Sequence, residues 1–329
     1  MPALFQERGV TSSFIQWLPF SVHYRRLCLP LYPIAARNFD LSGYDVVVAS
    51  STAWAHGVTV GSRTRLICYC HSPFRYIWSH YDTLVRGRLP VLKGIADRLR
   101  QQMRRWDLES AARVDQYIAS SKVVQQRIKS YYGKDSLVVA PPIDLEQFRP
   151  VKRPSGDYFL VVSALMKYKR VDIAVEAFNA LGMRLKVVGD GEEAGSLKRI
   201  AGPTIEFLGR VPDSELPNLY ANCRAFIFTA EEDFGITPIE AMACGRPVVA
   251  FGAGGATETV VPGTTGVFFS SQTADALVEI VRTTNFESFD TIAIRSRAEQ
   301  FGAPAFHESI RAIVNRLDEH DPPREVEFQ

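Results

Sequence analysis

The sequence predicts an α/β protein built from two doubly wound units in tandem, and three features predict it. Short, unbroken Val/Ile-rich runs alternate with helical patterns along the chain, as parallel strands covered on both faces do. A proline-rich stretch, Ala140-Pro141-Pro142-Ile143-Asp144 through Phe148-Arg149-Pro150, breaks both helix and ladder in mid-chain. The charge also changes sign there: residues 1–150 hold 20 Lys and Arg against 11 Asp and Glu, and the remainder 18 against 25. A chain of 329 residues has room for two domains of ordinary size.

In the first half, strands are expected at Tyr44–Ala49, Arg65–Cys70, Gln116–Ala119 and Leu137–Ala140. Helices are clearest at Val91–Ala112 and Ser121–Tyr132, where Ser120 and Ser121 suit an N-cap and Gly133 a C-cap. The second half predicts strands at Tyr158–Val162, Arg184–Val188, Ile205–Leu208, Ala225–Phe228, Pro247–Ala250 and Gly266–Phe269. Between them fall helices at Val171–Leu181, Glu192–Ile200, Asp213–Asn222 and Thr237–Cys244. After Phe269 the chain reads as helical to about Leu317, with a charged tail from Asp318. The domains expected are 1–144, 145–303 and a C-terminal segment 304–329 whose helix packs back towards the first domain.

Composition excludes several classes. Hydrophobic residues are 46% and charged residues 22%, which is globular rather than disordered or collagenous. No apolar run reaches the roughly 18 residues that span a bilayer. Phe14 to Ala36 is broken by Pro19, Pro30 and Pro33, and the start lacks a signal-peptide pattern, so a cytoplasmic protein is expected. The basic half suits a phosphorylated substrate or the anionic inner face of a membrane. It lacks the aromatic–basic clusters of nucleic-acid modules, and its Asp97–Arg113 stretch also fits a solvated helix face. Five scattered cysteines (Cys28, Cys68, Cys70, Cys223, Cys244) fit a reducing compartment. Cys68 and Cys70 fall on one face of a strand without further ligands nearby, so buried thiols are expected there rather than a metal site.

The chemistry concentrates in Thr229 to Ala250. A strand leads into Glu231-Glu232-Asp233-Phe234-Gly235-Ile236-Thr237-Pro238, and a helix opens there, with Pro238 expected at its first position and Gly245 just past its end. Backbone N–H groups of Phe234, Gly235, Ile236 and Thr237 would then face an anion at a helix N-terminus. Glu232 and Glu240, eight residues apart, would flank whatever the loop binds: a phosphate on the loop, one carboxylate on a sugar and one on a ribose. In isolation, Glu240 could simply complement the helix dipole, and Glu231–Asp233 could be an exposed acidic turn.

This segment resembles the Glu-x7-Glu signature of the family-four (group 1) retaining glycosyltransferases, which have the GT-B fold of two facing Rossmann-like domains. Other stretches match in the family's order. Tyr69-Cys-His-Ser-Pro-Phe-Arg-Tyr-Ile-Trp78 and Ile118 to Ile128 are similar to the acceptor-side domain, and Pro141-Pro-Ile-Asp144 to the hinge. Ser163 to Asp172, Val187-Val-Gly-Asp-Gly191, Glu206 to Asp213 and Phe251 to Val260 are similar to the donor domain. The resemblance covers roughly residues 13–315 and is nearest to the mannosyltransferase-type enzymes of polysaccharide and O-antigen assembly.

The resemblance implies a role for each matched residue. Glu232 holds hydroxyls of the donor sugar and Glu240 those of the ribose, each charged hydrogen bond being worth about 1.5–3 kcal/mol. Lys169 neutralises the departing diphosphate, with Arg170 and the N–H groups of Gly235–Thr237 beside it. Gly189 and Val211 belong to the donor pocket, and Asp213 accepting from a guanine edge points to a GDP-sugar, with mannose the best guess. His71 lies near the reacting sugar. The acceptor implied is a glycan or a polyprenyl-linked glycan, the reaction a transfer with retention, and no metal is expected. The family's Arg five residues before the Lys is replaced here by Ala164, with Lys167 or Arg170 as candidate substitutes.

Three rival readings fit parts of the sequence: another sugar-nucleotide enzyme such as a synthase or epimerase, a non-catalytic nucleotide-sugar-binding scaffold, and a nucleic-acid binder. A glycosidase pair of Glu232 and Glu240 leaves Lys169 and the glycine turns without a task. The family also opens with a strand and a glycine-rich loop. Residues 1–40 hold only Gly9 and no such strand, so the N-terminal domain is expected to lack that first unit, about 40–60 residues.

Overall fold

The computed structural model describes residues 10–18, 25–79, 81, 90–151 and 156–320. The chain divides into two compact units. One holds the chain up to Ser120, Val124–Val138 and the chain from Ala312; the other holds Ser121–Val123 and Val139–Arg311.

The first unit carries a parallel sheet of β1 (Val46–Ser51), β2 (Arg65–Cys70), β3 (Gln116–Ala119) and β4 (Ser136–Val138), in that order. Strand β2 is buried throughout, as a continuous apolar run predicts. Edge strand β1 instead alternates, with Val47 and Ala49 buried and Val48 49% exposed, so the expectation of strands covered on both faces does not hold for it. Period-two alternation puts Leu66, Cys68 and Cys70 into one cluster with Tyr117, Ala119, Val124 and Ile128. Both thiols are therefore core atoms. All five cysteines are free and buried, and the described residues hold no group of three or more potential metal ligands.

Helix Pro90–Ala112 accounts for part of the basic charge in a way its sequence did not suggest. Arg100 stacks over Tyr81 at 4.1 Å and Arg104 over Trp78 at 4.5 Å, and both donate through Nε to the Ile77 carbonyl. These two arginines pack against the segment after β2. Gly133, with φ +67°, closes the helix Lys122–Tyr132 where a C-cap glycine was expected.

The second unit carries six parallel strands: β5 (Phe159–Val162), β6 (Leu185–Val188), β7 (Ile205–Gly209), β8 (Phe226–Phe228), β9 (Val248–Phe251) and β10 (Gly266–Phe269). Their order is β10-β9-β8-β5-β6-β7. Alternation along the strands divides their residues between two cores. Phe159, Val161, Ile227 and Val249 join Ala174, Phe178, Leu277 and Val281 from helices Val171–Leu181 and Ala274–Thr283. Leu160, Phe226, Phe228, Val248 and Ala250 join Tyr220, Ile239, Met242 and Ile294 from helices Leu216–Asn222, Ile236–Ala243 and Thr291–Glu299. Burying each of these large side chains is worth about 1.5–3 kcal/mol.

The strand order places the site. The chain runs outward from β5 through β6 to β7, then returns to lay β8 on the other side of β5. The loops after β5 and β8 therefore diverge to opposite faces and leave a crevice between them, the switch point where doubly wound sheets bind ligands. The proline-rich connector is tied to this unit by Arg295, which donates to the carbonyls of Leu145, Phe148 and Ala243. The last of these belongs to the C-terminal turn of helix Ile236–Ala243. Helix Ala303–His320 runs slightly past the predicted Leu317. The charged tail beyond His320, and Gly9 in the expectation about the first strand, lie outside the described residues.

Candidate active site in the second unit

The turn after β5 is a short 3-10 helix, Lys167–Lys169, that leads directly into helix Val171–Leu181. Arg170 joins them in the left-handed conformation (φ +52°, ψ +37°), rare for a residue with a Cβ. Its guanidinium grips Asp172 through Nε and Nη2 at 3.1–3.2 Å and reaches Gln272. In the structure Arg170 holds the turn through these contacts. Thr229 Oγ1 donates to the Lys169 carbonyl at 3.0 Å, and Gln272 donates to the Thr229 carbonyl at 2.9 Å. Three residues that carried no signal of their own in the sequence analysis, Asp172, Thr229 and Gln272, thereby fix the Lys169 backbone.

Lys169 is ion-paired to Glu232 across the switch point, with the two side chains 15% and 20% exposed. Sixty-three positions separate them in sequence. They meet because one follows β5 and the other follows its neighbour β8. The loop carrying Glu232 is braced from behind by the glycines of Phe251-Gly-Ala-Gly-Gly: Gly255 N–H donates to the Glu232 carbonyl at 2.7 Å. A Cβ on Gly254 would come within 2.4 Å of that carbonyl oxygen, and one on Gly255 within 2.3 Å of Phe234 Cα. That motif matched the family without an assigned role; its role here is to let two backbones touch.

Gly235, with φ +87°, turns the chain into helix Ile236–Ala243. The helix opens one residue earlier than predicted, so Pro238 is its third residue rather than its first. It is tolerated because the first-turn N–H groups have no intrahelical partner in any case. Those of Ile236 and Thr237 head the helix, while the Phe234 side chain is buried against Phe301 and contributes backbone only. The helix ends as predicted: Gly245 has φ +71°, Gly245 N–H bonds the Met242 carbonyl, and Arg246 N–H bonds that of Ala241.

Glu240 sits on the fifth helical residue and accepts from the Tyr220 hydroxyl at 2.7 Å. Burial pushes its carboxyl above the usual range; the Tyr220 hydrogen bond opposes this, and the negative charge of Asp213 adds to it. Tyr220 was missed because a tyrosine in a short apolar helix reads as core, which its ring is.

Over the ends of β5, β6, β7 and β8 lies an open cleft of about 500 Å³, lined by Val162, Ser163, Ala164, Val188, Gly189, Asp190, Gly191, Arg210 and Thr237. Gly189 is there for contact: a Cβ on it would stand 1.8 Å from the Ser163 carbonyl oxygen. Val211 packs on the core beside the cleft, and Asp213 is exposed, its carbonyl accepting from Gln147 at 3.0 Å.

His71 belongs to the other unit, immediately after β2. Its Nε2 lies 2.9 Å from Ser50 Oγ, its ring meets Tyr69 edge-on, and burial pulls its pKa below the ordinary imidazole value.

Residues 142–284 match the family model "Glycosyl transferases group 1", and residues 2–147 match "Glycosyltransferase Family 4". The chain belongs to the group 1, family-four glycosyltransferases. Among its relatives is a GDP-mannose-dependent alpha-(1-6)-phosphatidylinositol monomannoside mannosyltransferase from Mycolicibacterium smegmatis, 29% identical over 57% of this chain and 55% of that protein. Human alpha-1,3/1,6-mannosyltransferase ALG2 is 25% identical over 90% of this chain and 78% of its own length. A Methanocaldococcus jannaschii glycosyltransferase is 27% identical over 50% of this chain and 48% of its own. The chain thus spans about half of the Methanocaldococcus and Mycolicibacterium relatives. Among solved structures, Anabaena HepE in complex with UDP superposes with a TM-score of 0.68 at 21% identity, over 87% of this chain and 82% of that one. A Thermosynechococcus elongatus sucrose-phosphate synthase reaches 0.69 at 17% identity, over 93% and 79%. The fold is GT-B, with two parallel-sheet Rossmann-like domains.

Proposed function

We propose that this chain transfers a hexose, with retention of configuration, from a nucleotide sugar to a glycan or lipid-linked acceptor, and that the donor is GDP-mannose. The observation that carries the reading is the Lys169–Glu232 pair at the switch point, beside the N-terminus of helix Ile236–Ala243. Similarity to mannosyltransferases, one named as GDP-mannose-dependent, supports the choice of donor. In the reaction proposed, the acceptor oxygen bonds to the anomeric carbon on the face the nucleotide leaves. The bond from that carbon to the phosphate oxygen breaks with its electron pair, and the acceptor's proton passes to the departing diphosphate. Lys169 and the helix N–H groups stabilise the charge that develops there. In this reading Glu232 orients the sugar and Glu240 the ribose, and His71, whose burial favours the neutral imidazole, is the catalytic residue contributed by the first unit.

A thermal-shift panel of GDP-, UDP- and ADP-sugars tests the reading. GDP-mannose at about 100 times its Kd is expected to stabilise the protein by about 2.7 kcal/mol. The absence of a shift with every donor would refute it.

Glu240 supplies a prediction with a definite sign. Only its ionised form accepts from both ribose hydroxyls, so nucleotide affinity falls on acidification. Tyr220→Phe removes the hydrogen bond that restrains the Glu240 pKa, so that pKa rises further. Calorimetric titrations across about pH 5 to 8 should show the variant losing affinity at a higher pH than the wild type. The stability linkage follows the same shift: a carboxyl raised on folding contributes fully below its unfolded pKa, and that contribution is lost as pH rises through the folded value.

A further inference from the structure

Arg210 has no partner among the described residues. It follows the last residue of β7, is exposed, and makes neither a hydrogen bond nor an ion pair with any of them. Of the nine residues that line the cleft it is the one cation, and Asp190 is the one acid. In the β5 turn Lys169 is committed to Glu232 and Arg170 to Asp172, and the exposed Lys167 is not among the residues that line the cleft. Two strand spacings, about 10 Å, separate the ends of β5 and β7. Between them stands Gly189-Asp190-Gly191, whose two glycines carry no side chain, and Ala164 offers only a methyl group on the far wall. Arg210 can therefore extend over this backbone towards the switch point.

We propose that Arg210 binds the diphosphate of a nucleoside diphosphate, gripping it from the β7 side while the helix N-terminus at Thr237 faces it from the β8 side. The inference rests on the nucleotide-sugar reading above and adds to it a second counter-charge for the phosphates, on the side away from Lys169. A guanidinium suits the task because its fork pairs with two phosphate oxygens at once.

The test is calorimetric binding of guanosine, GMP and GDP, with the uracil series alongside, to wild type, Arg210→Ala and Arg210→Lys. Arg210→Ala is expected to weaken GDP about 10- to 100-fold, GMP less, and guanosine not at all. Arg210→Lys should recover part of the loss and lower the salt dependence less than the alanine variant does. Unchanged thermal midpoints would show that both variants fold, as an exposed position allows. Equal losses for nucleoside and diphosphate would overturn the proposal by placing the guanidinium on the base, and unchanged GDP affinity would overturn it outright. A wild type that binds neither nucleotide series would remove the nucleotide-sugar reading and this inference with it.

Discussion

Glu232→Ala is expected to lower kcat/KM for sugar transfer by about 10³-fold, close to 4 kcal/mol of transition-state stabilisation. Two losses combine. The variant removes the carboxylate that the proposed reading assigns to the donor's hydroxyls, and it leaves the Lys169 ammonium, only 15% exposed, without its counter-ion. The affinity for the free nucleotide diphosphate should fall little or even rise, because Lys169 is released to the phosphates. That split, turnover lost and nucleotide binding kept, is read by steady-state kinetics beside calorimetry. Wild-type turnover in the variant would show that Glu232 has no part in the chemistry. A wild type that binds donor but neither hydrolyses nor transfers it would favour a non-catalytic scaffold.

The second large effect is on stability and lies in the first unit. Asp107 is fully buried in helix Pro90–Ala112, where it accepts from Trp78 Nε1 at 2.7 Å and the Tyr132 hydroxyl at 2.9 Å. His56 Nε2 stands 3.1 Å from its other oxygen, an ion-pair distance without hydrogen-bond alignment. The carboxylate thus joins the β1–β2 connection, the segment after β2, and helix Lys122–Tyr132. Asp107→Ala removes the acceptor of Trp78 Nε1 and of the Tyr132 hydroxyl together with the charge facing His56, and should cost about 3–5 kcal/mol. For a unit of this size that lowers the thermal midpoint by about 10 °C. Asp107→Asn keeps the shape, and its Oδ1 can accept from both Trp78 and Tyr132, which bond a single carboxylate oxygen, so only the charge beside His56 is lost and most of the stability should be recovered. Scanning calorimetry decides the point, and a midpoint within about 2 °C of wild type for the alanine variant would show that the cluster carries no stability.

Much of the fold was legible because its strands are short and continuously apolar, and its helices are punctuated by glycines whose φ is positive. Gly133 and Gly245 are read correctly for that reason. The strand at β1 was less legible: an edge strand alternates in burial, although its residues Val46-Val47-Val48 read as a fully covered run. The site was half legible. Lys169, Glu232 and Glu240 stood out through their spacing and their likeness to a family. Tyr220 and Arg210 did not, since a tyrosine in an apolar helix and an arginine after a strand are each unremarkable until the sheet places them. The hold of Arg170 on its own turn was not legible for a related reason. A cation beside Lys169 looks like a second phosphate ligand, and only its left-handed backbone and its grip on Asp172 show that it holds the turn.

The sequence by itself determined which residues form strands and helices, where the prolines separate the chain into two halves, and which carboxylates and glycines border the loop before helix Ile236–Ala243. These follow from local periodicity and from backbone constraints within a few residues. Only the tertiary structure decided that Lys169 and Glu232 form a pair, that Tyr220 opposes the burial-driven rise in the Glu240 pKa, and that Arg210 lines the cleft with Ala164 and Thr237. Those relations depend on strand order, β8 lying beside β5 rather than β7, and long-range order of that kind leaves no mark in the spacing along the chain.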